Sequence, residues 1–342
     1  MGPERLAAGS QTRIGLVLGA GGVLGAAWMT GALAALQQRL AHPLGDADII
    51  VGTSAGSVLA AALRCGVKVE EIVAHQRGEL PPELAILGPP DIGGGPWPPP
   101  PQLRVGSMRL MLTTLRTPHR MHPLVAASAL LPQGRAHHGA LHGMVHALVS
   151  HAKHRLGPHG WHPDWATDGR TWIIAVDYDS GRRVAFGRHG APPATLPDAV
   201  VASCSIPGWY RPAEIAGRRY VDGGVRSATS AALLARAGLD HVYVLAPLAC
   251  MAPDRPRKPH ERIERRIRRV ITFTLRREVH VLRSHGARVT VLTPGPDDLA
   301  AMGINLMDPR RRRNVLETSL HTSTAALAAP EPEPEPERSN AA

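Results

Sequence analysis

The sequence predicts an α/β fold: a mostly parallel sheet with helices on both faces. Three observations predict it. Short apolar runs alternate with helix-like segments in the first 64 residues and again from residue 172 onward. Two of the early runs end in glycine-rich corners that open helices, GAGGVLG at 19–25 and GTSAG at 52–56. A third corner, DGG at 222–224, follows a late strand-like run.

The elements follow in order. Ile14–Leu18 reads as a strand, Gly19–Gly25 as a turn and Ala26–Leu40 as a helix. Ile14–Leu36 carries no charge over 23 residues, long enough to span a bilayer. Its glycines at 15, 19, 21, 22, 25 and 31 break the run, so it reads as strand, turn and helix. Asp48–Val51 is a short strand, Ser54 a corner and Ala55–Arg64 a helix. Residues 79–168 read as an insertion covering one side of the core, a candidate lid. PPDIGGGPWPPPPQ is loop or polyproline, followed by helices at Ser107–Leu115, Pro123–Leu131 and Gly139–Arg155.

Strands return at Trp172–Asp177 and Arg183–Gly187, followed by a helix at Leu196–Cys204. A strand pair around Ala213–Val221 leads into Asp222, Gly223 and Gly224. Helix Ala228–Ala237, strand His241–Ala246, a basic helix at Pro259–Arg283, strand Arg288–Leu292 and helix Arg312–Ala328 complete the pattern. One domain is expected over 13–328, with disorder at 1–12 and in the acidic, Pro-rich tail at 329–342.

The net charge of +11 points to an anionic partner, a phospholipid headgroup or a nucleic acid, or to the compositional bias of a GC-rich genome. No nucleic-acid motif is present and aromatics are only 4%, so no nucleic-acid partner is expected. Cys65, Cys204 and Cys250 form no framework, and the first residues hold no apolar signal segment; both fit a cytoplasmic protein, if need be peripheral to a membrane.

GTSAG fits the nucleophile-elbow pattern G-x-S-x-G. Gly52 and Gly56 let the chain fold tightly around Ser54, and the following helix aims its N–H groups at the hydroxyl. The bland alternative is a serine capping an ordinary helix. The first glycine loop has two readings. As a dinucleotide fingerprint it fails the strict spacing, because Leu24 stands in place of the third glycine, although Gly19-x-Gly21-x-x-x-Gly25 survives with Asp46 and Asp48 as ribose-binding candidates. As an oxyanion hole it supplies main-chain donors from Gly19, Gly21, Gly22 and Gly25, with Gly21 and Gly22 the preferred pair. GTSAG on the adjacent strand favours the second reading.

The base for Ser54 is a histidine (His241, His280, His285 or His321) or Asp222. None of the histidines sits in a loop just after a late strand. Asp222 ends a strand, and Gly223 and Gly224 let a neighbour come close; burial would raise its pKa towards a useful range. The alternative for Asp222 is a helix cap.

GAGGVLG, GTSAG and DGG, in this order, with the approach ASCSIPGWYRPAEIAGRRYVDGG, resemble the patatin-like phospholipase family over 14–63 and 171–246. The resemblance implies a three-layer α/β/α fold and lipid acyl-ester hydrolysis of the phospholipase A or lysophospholipase type. It implies a Ser54–Asp222 dyad without histidine, a glycine-rich oxyanion hole and an acyl-enzyme. No cofactor or metal is expected. The family often has Arg or Lys where this chain has Leu24. That departure, with the long insertion, raises a second expectation: a slow or inactive lipid-binding or regulatory protein on the same fold.

Two weaker signals remain. His137, His138, His142, His146, His151 and His154 cluster in the insertion, where they suit either a metal or a polar lid face that charges as pH falls through about 6.5. The basic helix carries Ile263, Ile267, Val270, Ile271, Thr274 and Leu275 at helical spacing with arginines elsewhere. It reads as a helix packed on the sheet with a solvated face, or as a peripheral contact with anionic membrane.

Overall fold

The computed structural model describes residues 12–79, 97, 99–102, 104–117, 119, 121–156, 165, 169–251 and 259–329. Apart from residues 12 and 329, the two expected disordered tails lie outside them. The strands are β1 (Ile14–Leu18), β2 (Ile49–Thr53), β3 (Thr171–Asp177), β4 (Arg183–Phe186), β5 (Ala213–Ile215), β6 (Arg218–Asp222), β7 (His241–Leu245) and β8 (Arg288–Leu292). The helices are α1 (Gly22–Gln37), α2 (Ala55–Arg64), α3 (Val69–Arg77), α4 (Met108–Arg116), α5 (Pro123–Ser128), α6 (Gly139–Leu156), α7 (Leu196–Cys204), α8 (Pro259–Ser284), α9 (Pro296–Met302) and α10 (Arg312–Ala328).

These strands form one sheet in the order β5-β6-β3-β2-β1-β7-β8, with β4 on β3. The run from β3 to β8 is parallel, and β4, β5 and β6 pair antiparallel. Alternate side chains sort the two faces. Leu16, Leu18, Ile50 and Ile173 pack with α1, α2, α6 and α7, whereas Val17, Val51, Ile174 and Val242 pack with Leu275, Val279 and Leu282 of α8. This is the expected three-layer α/β/α arrangement.

Strand β3 organises the site. Ile173 and Ile174 pair with both β2 and β4, and Ala175 and Val176 with both β4 and β6. A strand has two edges, so β2 and β6 share the edge opposite β4 and meet end to end. Thr53 pairs with Ile174, and Asp222 pairs with Ala175, the next residue.

The uncharged N-terminal run is β1 and α1, as expected, and no described helix is long and apolar enough to cross a membrane. Several other sequence expectations change. Helix α1 starts at Gly22, not Ala26, and takes Gly25 into its first turn, where it packs on Pro247. Helices α3 and α9 were not anticipated, although Glu70, Glu71 and Gly78 mark the ends of α3. Within the insertion, Leu141, Val145 and Leu148 of α6 belong to the main core.

The expected helix at 228–237 shrinks to a 3₁₀ turn, Ala231–Leu234. Ser227 Oγ accepts from the Ser230 N–H at 2.9 Å, and Glu278 accepts from the Ala231 N–H at 2.9 Å, so side chains replace the helical ladder. In α8, Ile267 and Val270 face solvent. The buried stripe instead includes Arg268, Thr272, Leu275, Glu278 and Leu282.

Glu278 also accepts from Ser227 Oγ at 2.8 Å and Thr229 Oγ1 at 2.6 Å. The loop it holds accepts the Ala20 N–H at the Ala228 carbonyl, 2.8 Å away, so α8 braces the first glycine turn. Glu278→Ala leaves three buried donors without this carboxylate. Urea unfolding should show a loss of about 3 kcal/mol or more with an unchanged slope.

Candidate active site

The elbow forms where β2 ends at Thr53 and α2 begins at Ala55. Ser54 has φ +53° and ψ −122°, a conformation that side chains rarely adopt and that the surroundings must enforce. A Cβ on Gly52 would lie 2.7 Å from both the Gly56 carbonyl oxygen and Ser57 Cα, and one on Gly56 would overlap the Leu18 carbonyl. The two glycines are therefore demanded by close approach of β1, β2 and α2.

Further bonds hold the strained residue. The Ser54 N–H donates to Ser203 Oγ at 2.8 Å, and Ser203 Oγ donates to the Ile174 carbonyl at 2.6 Å. Ser57 Oγ donates to the Ser54 carbonyl at 2.6 Å.

The Ser54 side chain lies beside the Asp222 carboxyl and favours its charged form. Asp222 Oδ1 also accepts from the Gly224 N–H at 2.7 Å, and the Asp222 N–H donates to the Ser205 carbonyl at 3.0 Å. Asp222 thus caps a 3₁₀ turn, Gly223–Val225, as well as meeting the serine. Burial pushes its pKa up from 3.8 to about 6, against the lowering effect of the Ser54 side chain and the Gly224 N–H. Gly223 and Gly224 serve proximity: a Cβ on the first would lie 2.6 Å from the Ile174 carbonyl oxygen, and one on the second 3.2 Å from Ala20 Cβ.

The first glycine turn divides. The Gly19 N–H donates to the Leu245 carbonyl at 3.0 Å and the Gly25 N–H to the Gly21 carbonyl at 2.9 Å, so these two glycines are not oxyanion donors. They allow close packing instead. Gly21 and Gly22 keep N–H groups without an acceptor among the described residues. Gly22, at φ +62°, lines a cleft together with Ser54 and Ala55. Leu24 is fully buried and its N–H donates to the Leu306 carbonyl at 2.9 Å.

The ribose-binding candidates fall elsewhere. Asp48 accepts from the Ile14 N–H at 2.8 Å, at the starts of β1 and β2 and the opposite end of the strands from the glycine turn. A dinucleotide site needs its acid at the end where the strands finish.

Val58, Leu141, Met144, Ile206 and Met307 make the cleft mainly apolar. His138 stacks on Tyr210 with ring centroids 3.7 Å apart, and its Nε2 engages the Cys204 carbonyl at 3.0 Å. Burial drives its pKa down to about 4, so His138 is a neutral wall of the cleft and not a group that charges near pH 6.5. His142 turns instead to Asp198, 3.3 Å away. No group of metal-ligating side chains occurs among the described residues. Of the histidines first considered as bases, His241 bonds Thr290 Oγ1 and His285 the Val281 carbonyl.

Over residues 16–235 the sequence matches the model of the patatin-like phospholipases. The chain belongs to the patatin-like phospholipase family. Membership supports a lipid hydrolase activity. No curated protein matches the chain significantly. Among solved structures it is similar to VipD from Legionella pneumophila, at 12% identity and a TM-score of 0.45 over 93% of this chain and 67% of that one. It is also similar to the type III effector protein ExoU (14%, 0.35, 92% and 53%) and to human GIVD cytosolic phospholipase A2 in complex with methyl gamma-linolenyl fluorophosphonate (13%, 0.38, 92% and 58%). The chain spans little more than half the length of the last two.

Sequence reasoning missed Ser203 and Ser205, although both stand in the ASCSIPG segment of this patatin-like chain. Helix α7 and its C-cap touch both halves of the site through Ser203 Oγ and the Ser205 carbonyl. A serine on a wholly buried helical face was the available signal.

The raised pKa of Asp222 has a stability sign. Its folded value lies above the unfolded 3.8, so its contribution is fully present below pH 3.8 and is lost as pH rises through about 6. Asp222→Asn should therefore melt above the wild type at pH 8, by up to about 3 kcal/mol, with the advantage vanishing by pH 4. Thermal melts across that range check it.

Proposed function

We propose that this chain is a serine hydrolase of lipid acyl esters, of the phospholipase A or lysophospholipase type, working through Ser54 and Asp222. The observation that carries the reading is the placement of a strained serine beside a buried carboxyl, where β2 and β6 end opposite Ile174 and Ala175, with the acid's pKa raised to about 6. A free aspartate is too weak a base near neutrality; this one is better matched to the task and is still mostly ionised at pH 7.

In the proposed cycle Ser54 Oγ attacks the acyl carbonyl as Asp222 takes its proton. The oxyanion meets the N–H groups of Gly21 and Gly22, each such donor contributing about 3 kcal/mol to the transition state. Collapse releases the alcohol, which leaves with the proton from Asp222. Water then attacks the acyl-enzyme, activated by the same carboxylate. The apolar cleft walls supply a bed for the acyl chain.

Ser54→Ala and Asp222→Asn should each lower kcat on a phospholipid or lysophospholipid panel by about 1,000-fold or more. A fluorophosphonate should label Ser54 alone in the wild type. The kcat/KM profile should fall on the acid side with an inflection near pH 6, where Asp222 protonates. Full turnover by Ser54→Ala, or labelling at another serine, would refute the assignment.

A further inference from the structure

Helix α4 is turned the wrong way for a water-soluble helix. Leu110 is buried, while Met108, Leu112 and Leu115, one stripe at i, i+4 and i+7, are 58%, 46% and 77% exposed. Leu124 of α5 and Leu130 and Leu131 beyond it are also exposed. An apolar collection of this kind on a chain surface marks an interaction site.

Its charge narrows the partner. No Asp or Glu occurs between Asp91 and Asp164, whereas Arg109, Arg116 and Arg135 are exposed on the same segment. Its position ties it to the cleft. Leu110 and Val125 pack with Tyr178, just past the end of β3, and α5 contacts the 3₁₀ turn that follows Asp222. From α5 the chain runs through an Ala136–Tyr210 bridge to His138, and both Tyr210 and His138 line the cleft. The basic helix α8 also exposes Ile267, Val270 and Phe273 among arginines, but it packs on the sheet face opposite α2 and α6, which line the cleft.

We propose that the solvent-facing stripe of α4, with Leu124, Leu130, Leu131 and the neighbouring arginines, docks on an anionic phospholipid surface beside the cleft. Apolar side chains enter the acyl boundary and arginines meet the headgroups. The assignment deepens the lipid-hydrolase reading and rests on it only for the purpose of docking, not for the binding itself.

The test is flotation of the full chain with vesicles of phosphatidylcholine alone or mixed with phosphatidylglycerol. A Ser54→Ala background keeps the lipid intact. Binding should require the anionic lipid and weaken in about 0.5 M salt. Leu112→Gln/Leu115→Gln, and separately Arg116→Glu/Arg135→Glu, should each lower vesicle partition by about tenfold or more. Val270→Gln/Phe273→Gln on α8 should leave it unchanged. With Ser54 restored, all three surface variants should hydrolyse a soluble short-chain ester at the wild-type rate, which also reports that they fold.

Absence of flotation by the parent protein overturns the proposal. So does loss confined to the α8 variant, or a stripe-dependent dimer in light scattering without lipid. Flotation as expected in a protein that cleaves no ester would sink the hydrolase reading and leave the docking surface standing.

Discussion

The site depends on one pairing constraint. Strand β3 accepts the end of β2 and the end of β6 along the same edge, so Thr53 and Asp222 face successive residues, Ile174 and Ala175. Residues 169 positions apart in the chain are thereby held as neighbours by sheet hydrogen bonds. The Ile174 carbonyl is the hub: it accepts from Ser203 Oγ, and it lies so close to Gly223 that a side chain there is excluded. Helix α7 and the residue that follows it close the arrangement, with Ser203 Oγ accepting from the Ser54 N–H and the Ser205 carbonyl from the Asp222 N–H.

That rigidity sustains two unfavourable states. Ser54 keeps a left-handed φ, a state that costs on the order of 1–3 kcal/mol where nothing enforces it. Asp222 keeps a carboxyl away from water at a pKa near 6, so above that pH its charge opposes folding. Both persist because the neighbouring elements over-determine their positions. Part of this support comes from α8 on the far face, where buried Glu278 holds residues 227–231, and Arg268 donates to the Pro247 carbonyl at 2.7 Å. Pro247 in turn packs on Gly21 and Gly25, so the back layer stiffens the turn beside the serine.

Legibility followed the range of the interactions. Local patterns were readable: the strand and helix before and after Ser54, helix α7 from Leu196 to Cys204 and helix α10 from Arg312 to Ala328 all stand where periodicity put them. Expectations failed where a side chain far along the chain replaced a backbone bond. Ser227, Thr229 and Glu278 undid the helix expected after the third glycine corner. Among the four glycines of the first turn the sequence preferred Gly21 and Gly22; in the structure the Leu245 carbonyl engages the Gly19 N–H and the Gly21 carbonyl that of Gly25. His138 read as a member of a solvated cluster until stacking on Tyr210 removed it from water.

The sequence by itself determined the α/β class, the three glycine corners and the kinds of residue they carry. Period, turn chemistry and the lack of a side chain act over a few neighbouring residues, and those are visible in a string of letters. Only the tertiary structure decided that β6 runs antiparallel against β3, that Asp222 lies beside Ser54 in an apolar setting, and that α4 turns its apolar stripe outward. Strand register, desolvation and the facing of a helix depend on which distant surfaces meet, and no local pattern encodes that meeting.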